Sequence, residues 1–332
     1  MALTPQTNCT LEDIAGVVNK FESFAICGHV SPDGDCVSSQ LALYHALSAM
    51  GKNVTLLLAK DESIDAKLDF LKDIDKIIPA EKAFEQGVSC DVFIGVDVPT
   101  RERIGEFACK ILDAAQDSIT IDHHQVDTTM ANHVYVDADS ASASILVWKL
   151  LRILMDKPPM DSAICAYTGL VTDTGCFQFQ NTDRDAFLAA SELVAYGVHA
   201  ADIAREVMQN TSLASIKIQS LTASRMILLA DGQVAITWVT DEDMKKYGAV
   251  KTDLDDVVNM LRSVRGVRVA CSLREQDGKI RGNLRAKDST DISVVARELG
   301  GGGHKAASGF ILECTIEEAV DKLSNRLSKL YD

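Results

Sequence analysis

The chain has 332 residues, is 47% hydrophobic, and carries 33 Lys/Arg against 48 Asp/Glu for a net charge of −15. Such a length suggests two domains, each with enough apolar residues for its own core, and so negative a balance argues against a nonspecific nucleic-acid coat. No stretch approaches the roughly 20 unbroken apolar residues of a membrane helix, Met1–Thr10 lacks the basic-then-apolar layout of a secretion signal, and nine scattered cysteines without a Cys-x-x-Cys pair fit reduced thiols in a cytoplasm.

In chain order, the first half alternates short apolar runs with helical patterns. Strands are expected at Phe24–Val30, Asn53–Ala59, Asp91–Val98, Ser118–His123 and His133–Val136, with amphipathic stretches at Val37–Met50 and Lys67–Leu71 between them. This alternation predicts an α/β domain with a mostly parallel sheet. Two more helices are expected near Ser142–Met155 and Asp161–Val171, separated by the breaker Pro158-Pro159. From about Asp185 to Leu213 the chain reads as helical and polar. The second half predicts strands at Gln233–Thr240, Val267–Arg274 and Lys279–Ala286, the last two joined by an Asp277-Gly278 hairpin turn. A helix at Ile292–Leu299, four glycines, a strand at Gly309–Glu313 and a closing helix from Thr315 complete a smaller α+β domain. The expected division is 1–190 for the catalytic domain, 191–215 for a helical connector and 216–332 for the second domain.

Charge is unevenly shared. Residues 213–332 hold 18 Lys/Arg and 17 Asp/Glu, net +1, so the whole negative excess, −16, lies in residues 1–212. Within 262–287 eight basic residues face two acidic ones, a local excess suited to phosphate.

Most informative is where acidic residues and histidines fall. His29 stands at the end of the first strand with Asp33 and Asp35 just beyond it, Asp97 ends the third, Asp122-His123-His124 ends the fourth, and Asp173 closes the apolar run of Leu170-Val171. In an open parallel sheet the loops after the strands share one edge, where ligands bind. Taken singly, Asp33-Gly34-Asp35 reads as an ordinary turn, Asp97 as a helix cap and Asp173 as a turn residue. Taken together they predict one polynuclear metal centre. Carboxylate and imidazole donors suit Mn²⁺, Fe²⁺ or Zn²⁺, and the chemistry best served is attack of a metal-bound hydroxide on phosphorus. Asp122 is placed to orient a neighbouring histidine. His45, His133 and His199 fall outside the set.

This order of motifs resembles the DHH phosphoesterase superfamily over nearly the whole chain. His29-Val-Ser-Pro-Asp33-Gly-Asp35, Val96-Asp97, Asp122-His123-His124 and Thr172-Asp173-Thr174-Gly175 look like its four motifs. Gly300-Gly301-Gly302-Gly303-His304 with Lys305–Phe310 is similar to the signature of the DHHA1 domain. The pairing looks most like the oligoribonuclease/adenosine 3′,5′-bisphosphate phosphatase branch (nanoRNases). The resemblance implies two divalent cations, most often Mn²⁺. His29, Asp33 and Asp97 would hold one; Asp35, Asp97, His123 and Asp173 would hold the other, with Asp97 bridging. It further implies His124 at the scissile phosphate, a catalytic part for Asp97 and Asp122, a substrate such as pApA, pGpG, very short RNA or the bisphosphate, and a homodimer through the first domain. One departure is the segment Gly282-Asn283-Leu284-Arg285-Ala286, where many members carry a serine-rich strand.

Selection is expected from the second domain: Arg262 and Arg285 as bidentate phosphate clamps, and Gly301, Gly302, Gly303 and His304 as a close-approach loop for a phosphate or base. Aromatic residues make up 5% of the chain and none forms a ladder along the basic segment. A long single-stranded track with stacking platforms is therefore not expected. Three other readings share the metal core: a pyrophosphatase or exopolyphosphatase, a non-catalytic nucleotide sensor, and a single-strand exonuclease with an additional nucleic-acid-binding domain.

Overall fold

The structure is a computed structural model that describes residues 4–125, 128–303 and 305–331. It divides into two compact units, Met1–Asn210 and Thr211–Asp332.

The first unit contains α1 (Leu11–Lys20), β1 (Ser23–Cys27), α2 (Gly34–Ala49), β2 (Asn53–Leu58), β3 (Ile77–Pro79), α3 (Ala80–Glu85), β4 (Val92–Val96), α4 (Glu106–Ala114), β5 (Asp117–Asp122) and β6 (His133–Val136). It ends with α5 (Ala143–Leu154), α6 (Met160–Asp173), α7 (Arg184–Tyr196) and α8 (Ala200–Gln209). All six strands pair in parallel in the order β3-β2-β1-β4-β5-β6. Both faces of the sheet are covered, which is why the strands read as continuous apolar runs rather than alternating ones. Phe24 and Ile26 of β1 point into the core shared with α1, α2 and α5, while Ala25 and Cys27 point into the one shared with α3 and α4. The strand order reverses between β1 and β4, and the crevice beyond the strand ends at such a switch point is where ligands bind.

Two helices set the site. Helix α2 starts at Gly34, three residues earlier than the apolar periodicity suggests, because Asp33 caps it by accepting the Cys36 N–H at 3.0 Å. Asp35 therefore stands in a helical first turn and not in a loop. Helix α5 is capped by Ser142, which accepts the Ile145 N–H. The helix expected at Lys67–Leu71 is a single 3-10 turn, Ala66–Leu68, led by Asp65. Strand β3 has only three residues and carried no strand signal of its own. Residues 191–209 comprise the end of α7 and all of α8, and Leu193, Val198, Ile203 and Val207 are buried in a core with α6.

The second unit contains α9 (Leu213–Ser224), β7 (Ile227–Leu229), β8 (Val234–Val239), α10 (Asp241–Tyr247), α11 (Val257–Ser263), β9 (Val269–Gln276), β10 (Lys279–Ala286), α12 (Ser293–Glu298), β11 (Gly302–Gly303), β12 (Ala307–Leu312) and α13 (Ile316–Leu327). Its sheet runs β11-β12-β10-β9-β8-β7, antiparallel except for β8 beside β9. Asp277 and Gly278 both have positive φ, 53° and 71°, as a tight hairpin turn between β9 and β10 requires. Leu273, Ile280, Leu284 and Phe310 form the core with Ile316, Val320 and Leu323 of α13. No helix among the described residues is long and apolar enough to cross a membrane.

Candidate metal centre

Asp97 is the hub. It follows the last residue of β4, and its N–H donates to Ile121 O at 3.0 Å, extending the ladder to β5 by one step. There φ swings to +54°, a left-handed conformation that Asp adopts more readily than most residues. The carboxylate is buried at 1% exposure. Its two oxygens face different histidines: Oδ2 lies 3.5 Å from His29 Nε2, and Oδ1 lies 3.4 Å from His123 Nε2.

His29 and His123 are held in the same way. His29 Nδ1 donates to Val30 O at 2.9 Å and His123 Nδ1 to Ser140 O at 3.1 Å. A backbone carbonyl on Nδ1 turns Nε2 toward the ligand space, the usual arrangement for a metal-bound imidazole. Around His29 Nε2 stands Asp33 Oδ2 at 3.6 Å. Around His123 Nε2 stands Asp173 Oδ2 at 3.9 Å, and Asp35 joins those two with donor atoms within 4.8 Å of one another.

The remaining carboxylates are fixed by backbone and amide donors. Asp35 accepts the Ala143 and Ser144 N–H groups at the start of α5, at 2.6 and 3.0 Å. Asp173 Oδ2 accepts Asn181 Nδ2 at 3.1 Å. Ser140, Asn181 and the α5 N-terminus were not foreseen. The small polar stretch before the apolar α5 run signals a helix start, but nothing local ties it to Asp35.

His124 differs from the other two histidines. Its Nδ1 donates to Asp122 Oδ1 at 2.8 Å, and the same oxygen accepts the His123 and His124 backbone N–H groups at 2.7 and 3.2 Å. Asp122 is fully buried. This leaves His124 Nε2 as the end of a carboxylate–imidazole pair.

The electrostatics show how crowded the cluster is. Burial, together with the neighbouring Asp97 and Asp173 charges, pushes Asp35 well above the usual carboxylate range. Burial raises Asp173 to about 7 despite the opposing pull of His123. Burial would raise Asp97 as well, but the His123 and His29 imidazoles prevail and hold it below the ordinary value. For His29 and His123 burial works downward, and the carboxylates outweigh it, lifting both well above the usual imidazole value. His124 is lifted by Asp122 in the same contest. Among the described residues, Asp97 Oδ1 and Asp122 Oδ2 are buried with no hydrogen bond. Buried carboxylate oxygens normally find partners, so orphaned ones beside converging imidazoles fit a site built for cations. The donor set, carboxylates with neutral imidazoles, suits Mn²⁺, Fe²⁺ or Zn²⁺.

The first unit thus brings together His29, Asp33, Asp35, Asp97, Asp122, His123, His124 and Asp173. The second unit holds the remaining candidates. Burial and the nearby Arg262 charge pull Arg285 on β10 below the usual arginine range, and burial does the same to Arg262 on α11. Gly301 and Gly303 have packing reasons to be glycine: a Cβ would lie 2.1 Å from Gly309 O and 2.6 Å from Ala307 O, both on β12. A Cβ at Gly302 would meet nothing within 4 Å. His304 lies outside the described residues.

Residues 23–172 match the N-terminal domain of the DHH family, and residues 231–331 match the DHHA1 domain. The chain belongs to the DHH family. The bifunctional oligoribonuclease and PAP phosphatase NrnA of Thermus thermophilus is 27% identical over 308 residues, covering 90% of this chain and 87% of that protein. The protein of the same name from Bacillus subtilis is 24% identical over 302 residues, covering 90% and 91%. The crystal structure of an exopolyphosphatase-related protein from Bacteroides fragilis superposes with a TM-score of 0.90 at 28% identity, over 97% of this chain and 96% of that one. Exonuclease RecJ bound to manganese shares the fold, with a TM-score of 0.57 at 15% identity over 100% of this chain and 95% of that one. This DHH-family chain is a hydrolase.

Proposed function

We propose that this protein is a two-cation phosphoesterase acting on very short oligoribonucleotides, linear dinucleotides such as pApA and pGpG, and adenosine 3′,5′-bisphosphate. The observation that carries the reading is the split around Asp97: one oxygen faces His29, the other His123. His29, Asp33 and Asp97 would hold one cation, and Asp35, Asp97, His123 and Asp173 the other. When bound, a pair of divalent ions, preferably Mn²⁺, supplies an activated water and a clamp for phosphoryl oxygens.

The chain's own groups do the rest. Asp122 anchors the His124 ring through Nδ1, so Nε2 can donate a proton to an oxygen of the phosphate as charge develops there. Asp122 raises the proton affinity of His124, which favours the protonated ring this step needs. Arg262, Arg285, the N–H groups of Gly301, Gly302 and Gly303, and His304 are proposed to bind the rest of the substrate. The names of the Thermus and Bacillus relatives support this substrate class. The same reading places the protein in the cytoplasm as a homodimer.

A substrate panel with Mn²⁺ tests it: adenosine 3′,5′-bisphosphate, pApA, pGpG, RNAs of increasing length, and pyrophosphate. Turnover is expected for the bisphosphate and dinucleotides and falls as RNA lengthens. Faster release of phosphate from pyrophosphate would make the protein a pyrophosphatase instead, and dinucleotide binding without turnover would make it a sensor.

A further inference from the structure

We propose that Cys36 is an additional donor to the cation held at His29 and Asp97, and that its sulfur biases this position toward Zn²⁺ or Co²⁺ over Mg²⁺. The inference rests on the two-cation reading above. Cys36 is fully buried. Its Sγ, a ring nitrogen of His29 and a carboxylate oxygen of Asp97 all lie within 4.8 Å of one another.

Four cysteines are buried, and their surroundings separate them. Cys27, Cys165 and Cys271 each belong to a hydrophobic cluster. Cys36 belongs to none of the clusters among the described residues. A thiol used as small core filler has apolar neighbours. Cys36 instead shares its space with the His29 imidazole, the Asp97 carboxylate and the Gln40 amide.

Its position is also fixed from several sides. The Cys36 N–H is held by Asp33 Oδ1 in the first turn of α2, and the Gln40 side-chain amide lies 3.8 Å from Sγ. A Cβ at Gly28 would lie 2.1 Å from Sγ, so the end of β1 is bare where the sulfur sits. The second observation is the Asp97 carboxylate, which is buried, presents Oδ2 3.5 Å from His29 Nε2 and leaves Oδ1 with no hydrogen bond among the described residues. Thiolate is a soft ligand that favours Zn²⁺ and similar ions, whereas Mg²⁺ prefers oxygen. On binding, one sulfur–metal bond forms, the S–H proton leaves to solvent, and no electrons change hands.

The test uses the full chain loaded with Co²⁺ or Zn²⁺. The Co²⁺ protein is expected to show a sulfur-to-metal charge-transfer band in the near ultraviolet beside its visible d–d bands. X-ray absorption of the wild-type Zn²⁺ protein is expected to show a sulfur neighbour at about 2.3 Å. In Cys36→Ala the charge-transfer band disappears, and Zn²⁺ affinity falls by about tenfold or more while Mg²⁺ affinity holds. Intact d–d bands with only nitrogen and oxygen neighbours in the wild type would overturn the sulfur ligand and leave the two-cation reading standing. No bound metal at all would overturn both. Because the absorption measurement needs no variant, a Cys36→Ala protein that fails to fold does not blunt the test.

Discussion

At the residue scale, Asp97 carries the most weight, because two histidines and two proposed cations depend on it. Asp97→Ala is expected to abolish hydrolysis of every substrate and to reduce bound metal, read by turnover and by metal analysis of dialysed protein. Wild-type-like turnover would sink the two-cation reading. Asp122→Ala should behave differently, since Asp122 orients His124 and is not among the proposed ligands. Its kcat is expected to fall by roughly 10² to 10⁴ with bound metal retained; a matching loss of metal would instead make Asp122 a ligand. Protonation adds a third prediction. In the metal-free protein Asp173 titrates near 7 and Asp35 is also raised well above its ordinary value, so both hold protons in acid that a cation must displace. Metal affinity should therefore rise with pH through about 7, with proton release that calorimetry in buffers of different ionisation heat detects. A pH-independent affinity between pH 6 and 8 would contradict this.

At the element scale, the cluster depends on how closely α2, α5 and α6 approach. A Cβ at Gly169 would lie 2.4 Å from Ser144 Oγ and 2.5 Å from Asp35 Oδ1, and one at Gly34 would lie 2.5 Å from the Thr172 side chain. These glycines let three helices meet around one buried carboxylate. Gly169→Ala is expected to cost about 1–3 kcal/mol by overpacking and to weaken metal binding through Asp35. Gly16, exposed in the middle of α1 with open space around its Cβ position, is the control: Gly16→Ala should stabilise by about 0.5–1 kcal/mol. Thermal and urea denaturation of the two variants measure the contrast, and equal effects would mean the close approach is not real.

At the scale of the whole molecule, the two units divide the proposed labour. Arg262 and Arg285 lie in the second unit, and the ligand cluster lies in the first. Arg285→Ala is expected to raise KM for dinucleotides and leave hydrolysis of a generic phosphodiester dye nearly unchanged. Equal losses on both substrates would place Arg285 in the chemistry. Much of this plan was legible beforehand. The apolar runs ending in His29, Asp97 and Asp122 marked strands running into one edge, the run before Asp173 marked helix α6, and Asp277-Gly278 marked the hairpin. The rest was not. Strand β3 is too short to carry a periodic signal, and the Lys67–Leu71 pattern was overridden by a single turn capped by Asp65. Ser140 and Asn181 act through contacts that no local pattern encodes.

The sequence by itself determined which side chains are available and that they fall at the ends of apolar runs, because strand period and cap chemistry are local properties; Asp35 and Asp173 stand at helix ends. Tertiary structure decided which nitrogen His123 presents, since that depends on the Ser140 carbonyl 17 residues away, whereas the Val30 carbonyl and the Asp122 carboxylate that set His29 and His124 are close neighbours in the chain. It also decided that Cys36, unlike the other buried thiols, stands among ligands rather than in a core. The reason is that a side chain's neighbours across a switch point are set by helices and strands far away in the chain.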